Sequence, residues 1–229
     1  MTLHISIRNF ATSLIVLAAA PLTFAADPSP APPSAALPAK AETEVEEPRF
    51  VPLFNGKDLT GFKAEGAQEF WRVEDGVLIG ENNAAKKGHY LWTEKEYGDF
   101  VLEFEVRWKT ETPRGVDTGI EMRKPKIQIQ LGVSGSLRMD MTGSFYTGGK
   151  PAYPEAGQAK EAKKIMKPEG EWNRFRIQAR GNTFTCWING QKASEYTDPK
   201  FSGAAPLGLQ IHGAVEMKCE YRDLKVAEP

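Results

Sequence analysis

The chain predicts an all-β sandwich, on three observations. Short runs alternate apolar and polar residues with a period of two, turn dipeptides rich in Gly, Asn and Asp separate them, and one stretch alone shows helical spacing. Alternation of this kind buries one side of each strand and leaves the other wet, which suits two antiparallel sheets packed face to face.

Ahead of the strands lie two segments of different composition. Residues 1–25 read as a secretory signal: Arg8 supplies the positive end, Phe10 to Ala20 an apolar run, and Thr23-Phe24-Ala25 a small-x-small cleavage site. A soluble periplasmic or extracellular product without a membrane span after processing is the expectation, since the run is too short to cross a bilayer and no Cys follows the site to take a lipid. Residues 26–49 hold Pro28, Pro30, Pro32, Pro33 and Pro38, then Glu42, Glu44, Glu46 and Glu47, a composition that buries no core and predicts a disordered tether. Residues 50–229 suffice for one domain.

Within that domain, Trp71 to Glu74 and Val77 to Ile79 flank Asp75-Gly76 as a hairpin. Val101 to Lys109 is the clearest strand, with Leu102, Phe104, Val106 and Trp108 alternating against Glu103, Glu105, Arg107 and Lys109. In the next pair Ile120 and Met122 oppose Gly119, Glu121 and Arg123, and Ile127, Ile129 and Leu131 oppose Gln128 and Gln130. Glu155 to Lys167 predicts a helix, with Ala159, Ala162 and Ile165 or Met166 on one side and Pro168 past its end. Trp172 to Arg180, Phe184 to Ile188 and Gln191 to Tyr196 follow as hairpins through Gly181-Asn182 and Asn189-Gly190. Leu207, Leu209 and Ile211 oppose Gly208, Gln210 and His212. The last strand buries Val215, Met217, Cys219 and Tyr221, and its parity changes to Leu224 and Val226, which predicts a bulge near Arg222-Asp223.

The side of the central pair that faces away from the core carries a carboxylate, a guanidinium and two carboxamides. That mixture suits directed hydrogen bonds to sugar hydroxyls or a carbonyl oxygen, whereas a solvated sheet face is the plainer alternative. The net charge is −1, and the acidic tether leaves the domain nearly balanced, so no basic field exists to hold nucleic acid. The only cysteines, Cys186 and Cys219, fit either one disulfide or two buried thiols, and the apolar company of Cys219 favours the thiols. His89 and His212 show no ligand spacing to either Cys, so a structural zinc is not expected. No cofactor is implied, and loop carboxylates alone do not define a bound calcium.

Glu103-Phe-Glu105-Val-Arg107 resembles the Glu-x-Asp-x-Glu strand of sandwich glucanases, but Arg stands in the place of the third acid. With Lys109 next in the row, it reads as an outer face laced by ion pairs. Ser134-Gly-Ser136 is no nucleophile elbow, and neither His sits in a triad context.

A broader likeness covers residues 50–229. Phe50-Val-Pro-Leu-Phe-Asn-Gly-Lys-Asp-Leu-Thr-Gly-Phe62, Trp71-Arg-Val-Glu-Asp-Gly-Val-Leu78, Tyr97-Gly-Asp-Phe100, Asp117-Thr-Gly-Ile120 with Arg123, Thr142-Gly-Ser-Phe-Tyr146, Gly170-Glu-Trp-Asn173, Trp187-Ile-Asn-Gly190 and Gly208-Leu-Gln-Ile-His-Gly213 occur in fixed order. This order resembles the 3-keto-disaccharide hydrolase domain, also described as 3-keto-glucoside lyase and 3-keto-glucal hydratase. The resemblance implies a concanavalin A-like jelly roll and action on 3-oxidised glycosides, with a small carbohydrate as partner; no protein partner is identifiable. The family's strand Glu-Val-Gln-Ile-Leu-Asp is here Lys126-Ile-Gln-Ile-Gln-Leu131, which keeps Gln128 and loses both acids. Glu121 stands where the family commonly has an apolar or aromatic residue. Either the acid has moved to a neighbouring strand or the chain binds sugar without turning it over.

A ketone at C3 acidifies the C2 proton, so the implied chemistry needs a base, an oxyanion stabiliser and an acid for the leaving group. His212 is the candidate base, because neutral imidazole is available near pH 7 and its parity sets it beside Gln210. Arg123 is the candidate partner for the enolate, and Asp140 or Glu121 the acid. Gln128, Gln130 and Tyr146 are candidates to hold hydroxyls, with Trp92, Tyr90 and Tyr146 as stacking surfaces. The competing expectation is a lectin-like module using the same face.

Overall fold

The structure, a computed structural model, describes residues 48–109 and 115–229. The expected signal and most of the tether lie outside the described residues. Among the described residues fourteen strands follow in order: β1 (Val51–Pro52), β2 (Trp71–Glu74), β3 (Val77–Glu81), β4 (His89–Tyr97), β5 (Phe100–Trp108), β6 (Asp117–Met122) and β7 (Ile127–Ser134). After these come β8 (Met139–Asp140), β9 (Phe145–Tyr146), the helical turn α1 (Ala162–Ile165), β10 (Asn173–Arg180), β11 (Thr183–Ile188), β12 (Gln191–Thr197), β13 (Ala205–Ile211) and β14 (Lys218–Ala227).

Among the described residues the strands form two antiparallel sheets. One has the order β12-β11-β10-β5-β14-β3-β2 with β1 added on β14, and the other β4-β13-β6-β7-β8 with β9 added on β7. The apolar halves of the alternation meet between them: Leu102, Phe104, Phe175, Ile177 and Tyr221 from the larger sheet, and Ile120, Ile129, Leu131, Leu209 and Ile211 from the smaller, all in one buried cluster. Phe104 and Phe175 stack with ring centroids 5.4 Å apart. The all-β sandwich predicted from alternation, and the jelly roll that the family resemblance implied, are therefore the observed fold.

The hairpins form at the expected dipeptides, with left-handed backbone at Asp75-Gly76 and Asn189-Gly190, as two-residue turns of this hand require. The bulge also forms: the β14–β5 register shifts between Arg222 and Lys225, and Asp223 has φ of 53°. Cys186 and Cys219 are free and buried. The expected helix over Glu155 to Lys167 is corrected to a 3-10 turn at Glu155–Gly157 and the single turn α1. Gly157 breaks it: a Cβ there would meet Phe145 and Tyr196 at 3.3 and 3.2 Å, and Gln158 is extended. Ala159 and Ala162 nevertheless pack on the core.

The larger sheet turns its polar side outward as a ladder of ion pairs. Glu103 meets Arg176 and Lys225, Glu105 meets Arg174 and Arg222, and Glu220 meets Arg107 and Lys218. The guanidinium carbons of Arg107 and Arg222 lie 4.5 and 4.2 Å from the Trp172 ring centroid.

Candidate functional site

The outer face of the smaller sheet is built differently. Cα partners run across it as a row, Trp92 with Gly208, Gly208 with Glu121, Glu121 with Gln128, and Gln128 with Tyr146. A second row pairs Tyr90 with Gln210 and Gly119 with Gln130. In a third, His212 lies beside Asp117, with Nε2 3.9 Å from Oδ2. Strand alternation puts all of these on the side away from the core.

Four of them are nonetheless buried: Glu121 is 8% exposed, Asp117 5%, Gln128 5% and Gln130 3%. Polar side chains on an outer sheet face reach such values only where flanking groups wall them in, so this face is a recess. Tyr146 and Tyr153, tilted together at 5.2 Å, and Tyr90 and Trp92, stacked at 5.0 Å, contribute to those walls. Two glycines deepen the floor. A Cβ on Gly119 would sit 2.2 Å from the Gln128 amide nitrogen, and one on Gly208 would sit 2.4 Å from the Trp92 indole.

Hydrogen bonds fix the lining. Gln128 Nε2 donates to Gln210 Oε1 at 2.9 Å, and Gln210 Nε2 donates to the Tyr90 hydroxyl at 2.6 Å. Tyr153 donates to Gln130 Oε1 at 3.0 Å, and Gln130 Nε2 donates to Asp117 Oδ1 at 2.9 Å. The other oxygen of Asp117 accepts the Gly135 backbone N–H at 2.8 Å. Burial, and then the Glu121 carboxylate beside it, raise the Tyr90 phenol above its ordinary value. Burial chiefly, with Asp117 and Tyr146 adding, pushes Tyr153 up to about 12. Both phenols are therefore protonated hydrogen-bond donors at neutral pH.

The sequence-derived candidates divide. Glu121, Gln128, Gln130, Tyr146, Trp92 and His212 come together on this face. Arg123 does not: β6 ends at Met122, and a left-handed Arg123, with φ of 68°, turns its side chain out of the alternation. It is 3% exposed and donates to the carbonyls of Gly98 and Gly181 and to Asp99. It also packs 5.6 Å from the Phe184 ring centroid, and so clamps the end of the sandwich.

Asp140 is placed away from the recess as well. It opposes Val133 while Met139 opposes Ser134, so its parity is the other one, and it accepts from the backbone N–H and hydroxyl of Thr142. It caps a turn. Of the two described imidazoles, His89 is structural: it stacks on Phe70 at 4.7 Å and its Nδ1 accepts from the Trp71 indole at 3.1 Å.

Asp117, Gln210, Tyr90, Tyr153 and Lys126 complete the site. The parity that selects Glu121 also selects Asp117, two residues beyond Gly119. Lys126 stands where the family has an acid, and its ammonium lies 3.2 Å from Glu121. Tyr153, outside any strand, carried no sequence signal. His212 Nδ1 lies 2.7 Å from the Gly213 carbonyl oxygen, which can only accept, so Nδ1 is the donor there and Nε2 is the ring nitrogen turned to the Asp117 side. Among the described residues no three His, Cys, Asp or Glu side chains converge to hold a metal ion. No described helix is long and apolar enough to cross a membrane. A separate cavity of about 800 Å³ opens beside the larger sheet, where Lys86 answers Glu216 and Arg107 answers Glu220.

The fold has solved counterparts. Two candidate glycosyl hydrolases of Parabacteroides distasonis superpose with TM-scores of 0.57 and 0.54 at 22% and 20% identity, each over 79% of this chain and over 100% and 94% of theirs. The kappa-carrageenase of Pseudoalteromonas carrageenovora, solved with an oligosaccharide of kappa-carrageenan, superposes with a TM-score of 0.54 at 11% identity, over 84% of this chain and 98% of its own. At these identities the likeness is one of fold. No curated protein matches the sequence. The model of one family does, over residues 49–227, and by that match the chain belongs to the 3-keto-alpha-glucoside-1,2-lyase-like domain family.

Proposed function

We propose that this is an exported carbohydrate-active enzyme that converts 3-keto-glycosides by elimination and hydration, with net hydrolysis of the glycosidic bond. The observation that supports the reading is the spacing of the titratable groups around the recess. Asp117 and Glu121 lie four residues apart on one strand, so their Cα atoms are about 13 Å apart. Glycosidases that use paired carboxylates hold the carboxyl groups themselves about 5–9.5 Å apart, closer than two side chains that stand parallel from those positions. Here His212, backed by Asp117, stands at one end and Glu121 at the other, with a gap of the order of one pyranose ring over Gly119 and Gln210. That is a base and an acid on either side of a ring.

In the first step His212 Nε2 takes the C2 proton, and the electron pair delocalises onto the C3 oxygen as an enolate. The carboxamides of Gln128 and Gln210, each with one N–H beyond the bond it donates within the lining, are the neutral donors available to that oxygen, while Asp117 stabilises the imidazolium. The enolate then expels the anomeric oxygen as the C1–O bond breaks, and Glu121 delivers a proton to it. Water adds across C1=C2: its hydroxyl bonds to C1 while its proton returns to the Glu121 carboxylate, and His212 gives its proton back to C2, which restores acid and base and gives the free 3-keto sugar.

Incubating the purified protein with methyl and phenyl 3-keto-glucosides in D2O tests this. The expected result is aglycone release with deuterium appearing at C2; release without C2 exchange and without a C2 isotope effect would overturn the elimination route. The flat Trp92 surface favours one second reading, a lectin-like module, which binding without turnover would select.

A further inference from the structure

We infer that Asn82, which follows strand β3 of the larger sheet, is the positioning residue for His212: its carboxamide holds the backbone turn that aims the imidazole. The inference rests on the elimination reading, in which His212 is the base, and adds to it a residue outside the recess. The β13 ladder ends at Ile211, opposite His89, so strand pairing does not place His212. Its carbonyl is held by Asn82 Nδ2 instead, which donates to it at 3.0 Å. The same nitrogen donates its other N–H to the Lys87 carbonyl at 3.0 Å, and Asn82 Oδ1 accepts the Met217 N–H at 3.1 Å. The backbone N–H of Asn82 donates to the Met217 carbonyl as well, at 3.2 Å. One half-buried carboxamide thus engages both its donors and its acceptor on three backbone groups, and ties the end of a larger-sheet strand to the residue proposed as base on the smaller sheet.

The direction of the Gly213 carbonyl decides which imidazole nitrogen carries the proton, because that oxygen accepts from Nδ1 and leaves Nε2 to the Asp117 side. Gly213 is held from two directions. Asn82 grips the residue before it, and Gly88 packs against it so closely that a Cβ there would meet the Gly213 nitrogen at 2.9 Å and the Ile211 carbonyl oxygen at 3.0 Å. Removing the carboxamide leaves two carbonyls and one N–H without it, so the turn must shift to satisfy them. A misplacement of about 1 Å at the reacting group can cost about a hundredfold in rate. Glu121, Gln128 and Gln210, by contrast, sit within strand ladders that Asn82 does not set. The loss therefore falls on proton transfer rather than on binding.

The experiment compares the wild type with Asn82→Ala and Gly88→Ala, which disturb the turn from its two sides, so a folding failure in one leaves the other informative. Nitrogen NMR of the His212 imidazole, taken without substrate at a pH where the ring is neutral, reads the tautomer directly. The wild type is expected to show the proton on Nδ1, and each variant a mixture of the two tautomers. With methyl 3-keto-glucoside, kcat should fall by about tenfold or more while KM stays within about twofold, and the C2 deuterium isotope effect should grow. A fall in kcat with the imidazole signals and the isotope effect both unchanged would reduce Asn82 to a structural residue and overturn the inference, as would an unchanged kcat in both variants. Absent turnover in the wild type would overturn the elimination reading instead; the imidazole signals then decide alone, a tautomer mixture in the variants supporting the positioning role and an unchanged tautomer overturning it.

Discussion

The two outer faces of this sandwich are written in the same sequence code and do different things. On the larger sheet Glu103, Glu105 and Glu220 each face two cations, and those cations are at least a third exposed, apart from Arg176 at 32%. On the smaller sheet Asp117 and Glu121 are more deeply buried, and most of their neighbours are neutral: Gln130 and a backbone N–H for Asp117, Tyr90 and the tip of Lys126 for Glu121. A carboxylate between two arginines is already neutralised and has nothing left to offer a ligand. One faced by carboxamides, a phenol or a single lysine tip is left free to exchange a proton or a hydrogen bond with a ligand, in a recess of low dielectric where such exchanges count for most.

The largest expected effect lies on the recess side. His212→Gln and Glu121→Gln should each lower turnover of a 3-keto-glucoside by about a hundredfold or more with modest change in binding, because each keeps a polar shape and removes one proton transfer. Steady-state kinetics beside calorimetric binding separates the two effects. If Glu105→Gln on the opposite face lowered turnover as much, the contrast between the faces would be wrong.

Arg123 gives the next effect and marks where the sequence misled. Its exposed polar parity predicted a partner for an enolate, whereas the positive φ at Arg123 sends the side chain to two carbonyls and Asp99. Arg123→Leu should lower stability by about 3 kcal/mol in a urea melt, because two carbonyl acceptors and one carboxylate lose a charged donor. Turnover per folded molecule should persist. A large loss of turnover with unchanged stability would return Arg123 to the site.

A third expected outcome concerns pH. Burial raises Cys186, Cys219 and Tyr153, the last two to about 12, above the ordinary values of 9.0 for Cys and 10.0 for Tyr. The unfolded chain then releases these protons first, so the stability they protect is fully present below about pH 9 and falls as pH climbs toward 12. Urea midpoints measured at pH 8 and pH 10.5 should show the decline, and a thiol reagent should find both cysteines silent in the native protein. Constant midpoints across that range would contradict the burial.

Much of the fold was legible because alternation is a local signal. Leu102 to Trp108 declares its inward side without reference to any other strand, and the Asp75-Gly76 and Asn189-Gly190 turns fix their own hairpins. The helix over Glu155 to Lys167 failed because Gly157 is demanded by Phe145 and Tyr196, contacts from distant strands that no local spacing reveals. The site was legible in part for the same reason. Parity brought Glu121, Gln128, Gln130 and His212 to one side, but parity cannot say which outer face is walled. That depends on Tyr153 arriving from a loop and on Gly119 and Gly208 lying under Gln128 and Trp92.

The smallest expected effect is on the ladder itself, and it tests whether that face is only a solvated cover. Glu105 binds Arg174, whose side chain is 61% exposed, and Arg222, 40% exposed. Replacing Glu105 by Gln removes the charge from both pairs but strands neither guanidinium: Arg174 is left in water, and Arg222 still lies 4.2 Å over Trp172. Exposed pairs of this kind contribute at most about 1 kcal/mol, less at high salt. Glu105→Gln should therefore shift the urea midpoint by less than the Arg123→Leu change, and raising the salt from about 0.1 M to about 1 M should shrink the difference further. A loss near that of Arg123→Leu, insensitive to salt, would mean that Glu105 acts as a buried anchor, and the distinction between a ladder whose carboxylates are paired with cations and a recess whose carboxylates are left to a ligand would have to be redrawn.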